Sequence, residues 1–437
     1  MAHKTLINGT AYGIDGGKTL VNGTSYKVTN GKVLINGTAY DISFLLPPAA
    51  LDVFGGTSAT NEINCITYAN GYWVVGGRYG AGINSTYYAR IAYATDLNGT
   101  WTTKNIWTSS GRSNRLYNYI SGIIYANGYF VVAGMHYDSS ASSGKYKIRI
   151  AYATTPSGTW TSKDVWGVAG GDAAYYAPPC ITYGNGYFVV GGQSDRSPTY
   201  ANIAYATTPS GTWTTKTLWS SNNGSCVRDI IYANGYWVVG GEYRNVSSDG
   251  NTLMTYGRIA YATSPSGTWT TNNIWTSSET LSSPDDSFRR DHMSRITGIA
   301  YADGKWVVCG YYYDKSQSSS ARYRNVIAYS TTPSGTWTTN NVWLGSNYTI
   351  NAIAYANGYW VVGGNYRVTA NCAAVAYTNN LTGTWTIKQL WSEYTSQNVV
   401  NCVEYFNGYV VVGGDKYNGS NHYARISYAD KPSNLPA

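Results

Sequence analysis

Apolar and polar residues alternate with a period of two in short runs along most of this chain, and Asn-Gly, Asp-Gly and Pro-Ser-Gly separate the runs. Half-buried strands joined by tight turns give this pattern. In one stretch, Asn64-Cys65-Ile66-Thr67-Tyr68 predicts a strand A, and Asn70-Gly71 predicts a hairpin turn that needs two positive φ values. Tyr72 to Gly77, aromatic and β-branched, predicts strand B. Ala89 to Ala94 predicts strand C, and Leu97-Asn98-Gly99 a turn into strand D, Thr100 to Trp107. No window carries a sustained helical period, so the chain reads as all-β.

The same wording recurs. The A–B turn returns at Asn70, Asn127, Asn185, Asn234, Asp303, Asn357 and Asn407, and the Gly-Thr-Trp that follows the C–D turn at Trp101, Trp160, Trp213, Trp269, Trp337 and Trp385. Blades set around an axis have a period of roughly 50 to 70 residues of this kind. The expected fold is a seven-bladed β-propeller of four-stranded blades. Its seventh blade stops after strand C, at Arg425 to Asp430, whereas Leu51-Asp52-Val53-Phe54 matches Lys163-Asp164-Val165-Trp166 of blade two. An N-terminal strand is therefore expected to complete the last blade and close the ring, removing two sheet edges.

Residues 1–46 follow another rule. Lys4, Lys18 and Lys32 each open a 14-residue unit with the core Leu6-Ile7-Asn8-Gly9-Thr10-Ala11-Tyr12 or a close variant. Each unit predicts a small hairpin. Three such hairpins bury little area, so docking onto a partner is expected. Two domains follow: 1–46, a hairpin anchor, and 47–437, the propeller.

In an up-and-down blade the A–B and C–D turns share one face, and the B–C loops and D–A links share the other. The first set is nearly constant among blades and the second varies. The variable set is dense in Tyr, Ser, Gly, Asn and Arg, a mixture that suits recognition because rigid rings supply area and small polar residues adapt. Its candidate ligand-binding residues are Arg78, Tyr79, Tyr87, Tyr137, Tyr200, Tyr243, Arg244, Asp285, Arg289, Tyr312, Tyr366, Arg367 and Tyr417. Tyr and Trp suit stacking on sugar rings, and Asn, Asp and Arg suit hydroxyls.

Composition narrows the chemistry. Only 12% of the 437 residues are charged, with 44 Tyr, 16 Trp and 49 Gly, and the formal charge of +8 favours anionic surfaces such as phosphate-bearing wall polymers. The charge is dispersed, so nucleic acid is not expected as a partner. No apolar run is long enough for a membrane helix, and Met1-Ala2-His3-Lys4 opens without a signal-peptide core. Cys65, Cys180 and Cys402 share one strand A position, where Gly122, Gly298 and Ala352 stand in other blades; free buried thiols are expected there. Arg90, Arg149, Arg258 and Arg425 share one strand C position and read as framework residues stacked on aromatics. Glu is scarce, and no motif identifies a facing carboxylate pair. Asp285, Asp286, Asp291 and His292 form the richest polar cluster and read as a solvated loop; His136 and His422 are too isolated for a metal. No catalytic residue, metal or cofactor is expected, and the chain reads as a non-enzyme.

Two resemblances add to this. Ala94-Thr95-Asp96-Leu97-Asn98-Gly99-Thr100-Trp101 resembles the Asp-box hairpin of sialidase-type propellers, although the glycine is displaced by one and the Asp occurs once. This supports the fold and says little about chemistry. The triplicated Leu-Ile-Asn-Gly-Thr-Ala-Tyr core at Leu6, Leu20 and Leu34 resembles segments of virion and tail-associated structural proteins of bacteriophages infecting Gram-positive gut bacteria. That resemblance implies cytoplasmic synthesis in the host and a place in the virion as a homo-oligomeric tail or capsid fibre. Residues 1–46 would hold other virion proteins, and the propeller would bind a host-surface glycan or wall polymer without entering the membrane. A passive capsid or neck decoration and a sialidase-like carbohydrate hydrolase are the alternatives.

Overall fold

Every A–B turn has the geometry its sequence calls for. Asn70 and Gly71 have φ values of 49° and 78°, and the pairs from Asn127-Gly128 to Asn407-Gly408, including Asp303-Gly304, repeat the two positive values of a turn whose twist matches the strands it joins. In this computed structural model the turns organise seven four-stranded antiparallel sheets and one six-stranded sheet. The chain divides into two compact units, Met1–Pro48 and Ala49–Ala437. The structure describes backbone at 3–7, 10–15, 18–21, 24–29, 32–35 and 38–41 of the first unit. In the second it describes residues 49–436 apart from 56–59, 81–85, 110–117, 139–145, 169–176, 195–198, 222–223, 248–251, 281–293, 315, 317–322, 345–348, 368–370 and 392–397. The side chains of the first unit and those at 109, 168, 279, 280, 344, 367 and 371 also lie outside this description.

In the first unit the three hairpins run on into one meander, because Ile14 and Asp15 also pair with Thr19 and Lys18, and Val28 and Thr29 with Val33 and Lys32. The second unit is the propeller. Blade one consists of Thr60–Ala69, Tyr72–Gly80, Tyr87–Ala94 and Thr102–Ser109 as strands A to D, and blades two to six repeat it. The strands run a few residues beyond the sequence-based bounds at their variable-loop ends.

Ring closure takes the expected form, with one refinement. Ala49–Asp52 pairs antiparallel with His422–Ala429, placing Asp52 opposite Arg425. The two form a bidentate ion pair at 2.7 and 2.9 Å, the counterpart of Arg149 with Asp164 in blade two at 2.5 and 3.0 Å. Blade seven does not end with strand C, however. Its chain continues through a 3-10 turn, Pro432–Asn434, and Pro432 is buried there as Leu97 is in blade one. The seam of the ring is thus one C–D turn.

Neighbouring blades are tied on the outside through these turns. Lys104 donates to the carbonyls of Ser157 and Gly158 in the next blade's C–D turn, and Lys163 and Lys216 do the same to Ser210 with Gly211 and Ser266 with Gly267. Lys388 reaches Ser433 in the C-terminal turn at 2.7 Å. Five of the turns are braced from within by their Trp: the Trp101 indole donates to Leu97 O at 3.2 Å, and Trp160, Trp213, Trp269 and Trp337 repeat the bond to a proline carbonyl.

The shared strand C arginines are framework. Arg90 lies 3.5 Å from the Tyr79 ring centre and Arg258 3.8 Å from that of Tyr243; Arg149 and Arg425 take the Asp partners already named. All six cysteines are free and buried. Val53 and Phe54, just beyond the closing strand, are 2% exposed. Replacing Phe54 with Ala should therefore cost about 3–4 kcal/mol. Denaturant unfolding checks this, and Asp52→Ala, which removes only the half-exposed ion pair, should cost about 1 kcal/mol or less.

Candidate functional site

The inner strand of most blades carries a β-bulge. Registers shift between Ile63 and Cys65, Ile120 and Gly122, Val227 and Asp229, Ile296 and Gly298, Ile350 and Ala352, and Val400 and Cys402. The residue inside each bulge is freed from the ladder and re-aimed. Asn64, Ser121, Thr297, Asn351 and Asn401 use that freedom to donate to a backbone carbonyl of the next blade: Ile120, Pro179, Ile350, Val400 and Ile63, at 2.5–3.0 Å. In the bulged blades the second glycine of the Gly-Gly pair makes room for the bulge. A Cβ on Gly77, Gly241 or Gly414 would overlap the carbonyl of Glu62, Cys226 or Val399.

Two places break the pattern. Blade three has Pro179 at the bulge position, without a side-chain donor. Blade four has Arg228, and there Asp229 ties the blades instead, accepting the Ile299 N–H of blade five at 2.7 Å and the Ile230 N–H at 2.8 Å. Burial pushes the Asp229 carboxyl up to about 6, against the lowering effect of these two donors.

The inner strands enclose an axial cavity of about 620 Å³. Its lining includes the bulge residues, the thiols Cys65, Cys180 and Cys402, and the charged side chains Glu62, Arg78, Arg228, Asp229 and Glu404. Glu62 and Arg78 lie at the variable-loop end and form an ion pair at 3.1 Å. Glu404 lies towards the constant-turn end, three residues before Asn407. At its position the other blades carry Thr67, Ile124, Thr182, Ile231, Ala300 and Ala354. Burial pushes the Glu404 carboxyl up to about 8, with a further contribution from Asp229.

A second charged group adjoins Arg228. Glu242, within strand B of blade four (Tyr236–Val246), is 6% exposed and meets three arginines: Arg295 of blade five at 2.9 Å, and Arg228 and Arg244 at 3.5 Å. Burial alone would raise the Glu242 carboxyl, but Arg295, Arg228 and Arg244 outweigh it and hold the group well below the usual carboxylate range. Across the ring, Asp415 of blade seven accepts from His422 at 2.6 Å, and burial pushes its carboxyl up to about 6.

The residues singled out in the sequence are distributed as follows. Arg78 and Arg244 belong to the two ion-pair groups just described. Tyr79 and Tyr243 lie beneath Arg90 and Arg258, and Tyr87 is buried. Tyr137 packs on Tyr146 with ring centres 5.1 Å apart, and Tyr366 on Trp343 at 5.9 Å. Tyr200 and Tyr312 are half-buried, and the Tyr417 hydroxyl donates to Gly419 O at 2.6 Å. Arg367 ends a strand with its side chain outside the described residues; Asp285 and Arg289, with Asp286, Asp291 and His292, also lie outside them. The axial groups Arg228, Asp229, Arg295 and Glu404 were not singled out. Aligning the blades position by position would have marked Arg228, Asp229 and Glu404, each a charge where the other blades carry small, apolar or neutral polar residues.

No protein-family model matches this chain, and no curated protein matches it. Among solved structures it resembles polysaccharide lyase Uly1, at 11% identity and a TM-score of 0.49 over 90% of this chain and 92% of that one. It resembles a Penicillium chrysogenum alpha-L-arabinanase complexed with arabinobiose at 13% identity and 0.43, over 71% and 92%. It also resembles Trypanosoma rangeli sialidase at 13% and 0.42, over 95% and 60%. The propeller thus resembles carbohydrate-acting enzymes in fold. The expectation of a non-enzyme is accordingly corrected: the structural neighbours are glycan-processing enzymes. Carboxyls that separate blades bring to one axis form no motif along the sequence.

Two stability outcomes follow from this chemistry. Glu242→Gln leaves three arginines around a neutral amide and should cost about 3–5 kcal/mol in denaturant unfolding. Glu404→Gln should stabilise. A carboxyl raised to about 8 in the folded state holds its proton where the unfolded chain has lost it, so its cost is absent below about pH 4 and grows until about pH 8, reaching ~3 kcal/mol at neutral pH. The melting temperature of Glu404→Gln should therefore exceed that of the parent at pH 7–8 and equal it near pH 4.

Proposed function

We propose that the propeller interacts with carbohydrate and that its axial cavity is the ligand site. The observation that carries this reading is the cavity itself. About 620 Å³ lies within the range of about 300–1,000 Å³ typical of small-molecule sites. Apolar strand residues, amide and hydroxyl groups and five charged side chains converge on it from several blades, a mixture suited to a ring with an apolar face and a polar rim. Strand D of blade seven starts at Ala49, opposite Tyr428 and beside the C–D turn. Strand D of blade seven thus begins at the constant-turn end. In the same proposal, residues 1–46 tether the propeller to a larger assembly, of which a virion is the case their repeat resembles.

The test is equilibrium binding of the full chain to a panel of neutral and acidic oligosaccharides, with chromatography of each sugar after incubation. Saturable binding is expected, lost in Ala352→Trp, which fills the cavity wall, and kept in Asn98→Ala on the exposed C–D turn. Shortened products would identify an enzyme acting on the bound sugar. Binding by neither protein, or equal binding by Ala352→Trp and the parent, would remove the axial cavity as the site.

A further inference from the structure

Most polar groups around the axis are engaged. Asn64, Ser121, Thr297, Asn351 and Asn401 spend their donors on the next blade, Asp229 accepts two backbone N–H groups, and Glu62 is paired with Arg78. Glu404 differs. It lines the cavity, and its carboxyl makes no hydrogen bond or ion pair among the described residues. The ring closes at this position in six other blades with Thr, Ile or Ala, so packing does not require a carboxyl here. Glu404 is half-buried, and a carboxyl that lines a cavity without a protein partner among the described residues departs from local consistency in the way expected where a site does something besides fold.

We infer that Glu404 is a ligand-contacting residue in the part of the axial cavity nearer the constant turns, where its carboxyl group hydrogen-bonds a hydroxyl of a sugar ring. This deepens the carbohydrate reading and rests on it. A neutral carboxyl offers one O–H donor and keeps acceptor capacity, matching a hydroxyl that itself donates and accepts. The titratable groups around it act in one direction. Asp229 on blade four acts on it as a like charge, and Cys65 and Cys402 are thiols whose own protons are held by burial. The group thus stays protonated to about pH 8. Raising the pH beyond that value exchanges the donor for a charge in a confined space, and a neutral hydroxyl-bearing ligand is then held less well.

The experiment measures affinity for the best-bound sugar of the panel by calorimetry between pH 6 and pH 9, using the full chain, Glu404→Gln and Glu404→Thr. The Thr variant installs the residue that blades one and three carry at Thr67 and Thr182, and thermal unfolding confirms that each variant folds. Parent affinity should fall about tenfold by pH 9 relative to its value below pH 8. Glu404→Gln, which keeps a donor and an acceptor, should stay within about threefold of the parent at pH 7 and lose the pH dependence, and Glu404→Thr should bind at least about tenfold more weakly throughout. Parent-like affinity in Glu404→Thr, or the same pH profile in the parent and Glu404→Gln, overturns the assignment of Glu404 while leaving the cavity as the site. Failure of the parent to bind any sugar overturns the carbohydrate reading and this inference together.

Discussion

The architecture near the axis depends on one backbone irregularity, the bulge in the innermost strand. A regular strand would keep every residue in the ladder with its neighbour, and adjacent blades would meet only through apolar side chains. The bulge releases one residue in each of six blades, and in five of them a small polar side chain there reaches the backbone of the next blade. Inter-blade register is thereby fixed by directed bonds as well as by packing. The same bulge explains the second glycine of the recurring Gly-Gly, since the displaced strand A carbonyl occupies the volume a side chain would need.

Function is to be sought where this repetition lapses, because a residue that serves the ring equally well in every blade carries no address. Blade four departs furthest. Arg228 takes the bulge, Asp229 assumes the stitching, and Glu242 gathers three arginines from two blades. Blade seven adds Glu404 on the wall of the same cavity. The outer elements vary less: a lysine contacts the next C–D turn from blades one, two and three, Asn340 does so from blade five, and the Trp bond recurs inside five turns.

The fold was legible because turns and alternation are local properties. Asn-Gly pairs announce positive φ values, and a match as short as Leu51-Asp52-Val53-Phe54 located the closing strand, since Asp52 had to stand where Asp164 meets an arginine. The site was less legible for a physical reason. Tyr79 and Tyr243 look available in sequence but serve as platforms for Arg90 and Arg258 of their own blades. Arg228 and Arg295 are 67 positions apart, yet both reach Glu242. Loop composition says what a surface could contact; it does not say which charges seven separate strands deliver to one axis.

The seam at the last C–D turn sets an order on synthesis. Ala49–Asp52 is among the first parts of the ring to be made and its partner His422–Ala429 among the last, so the closing strand must wait, unpaired, while six blades are completed. Strand A of blade one waits with it, because Asn401 donates to Ile63 only once blade seven exists. Until then the growing ring has two open flanks, each able to pair with another chain. Pairing of Ala49–Asp52 with His422–Ala429 is thus the step that turns an open row of blades into a ring.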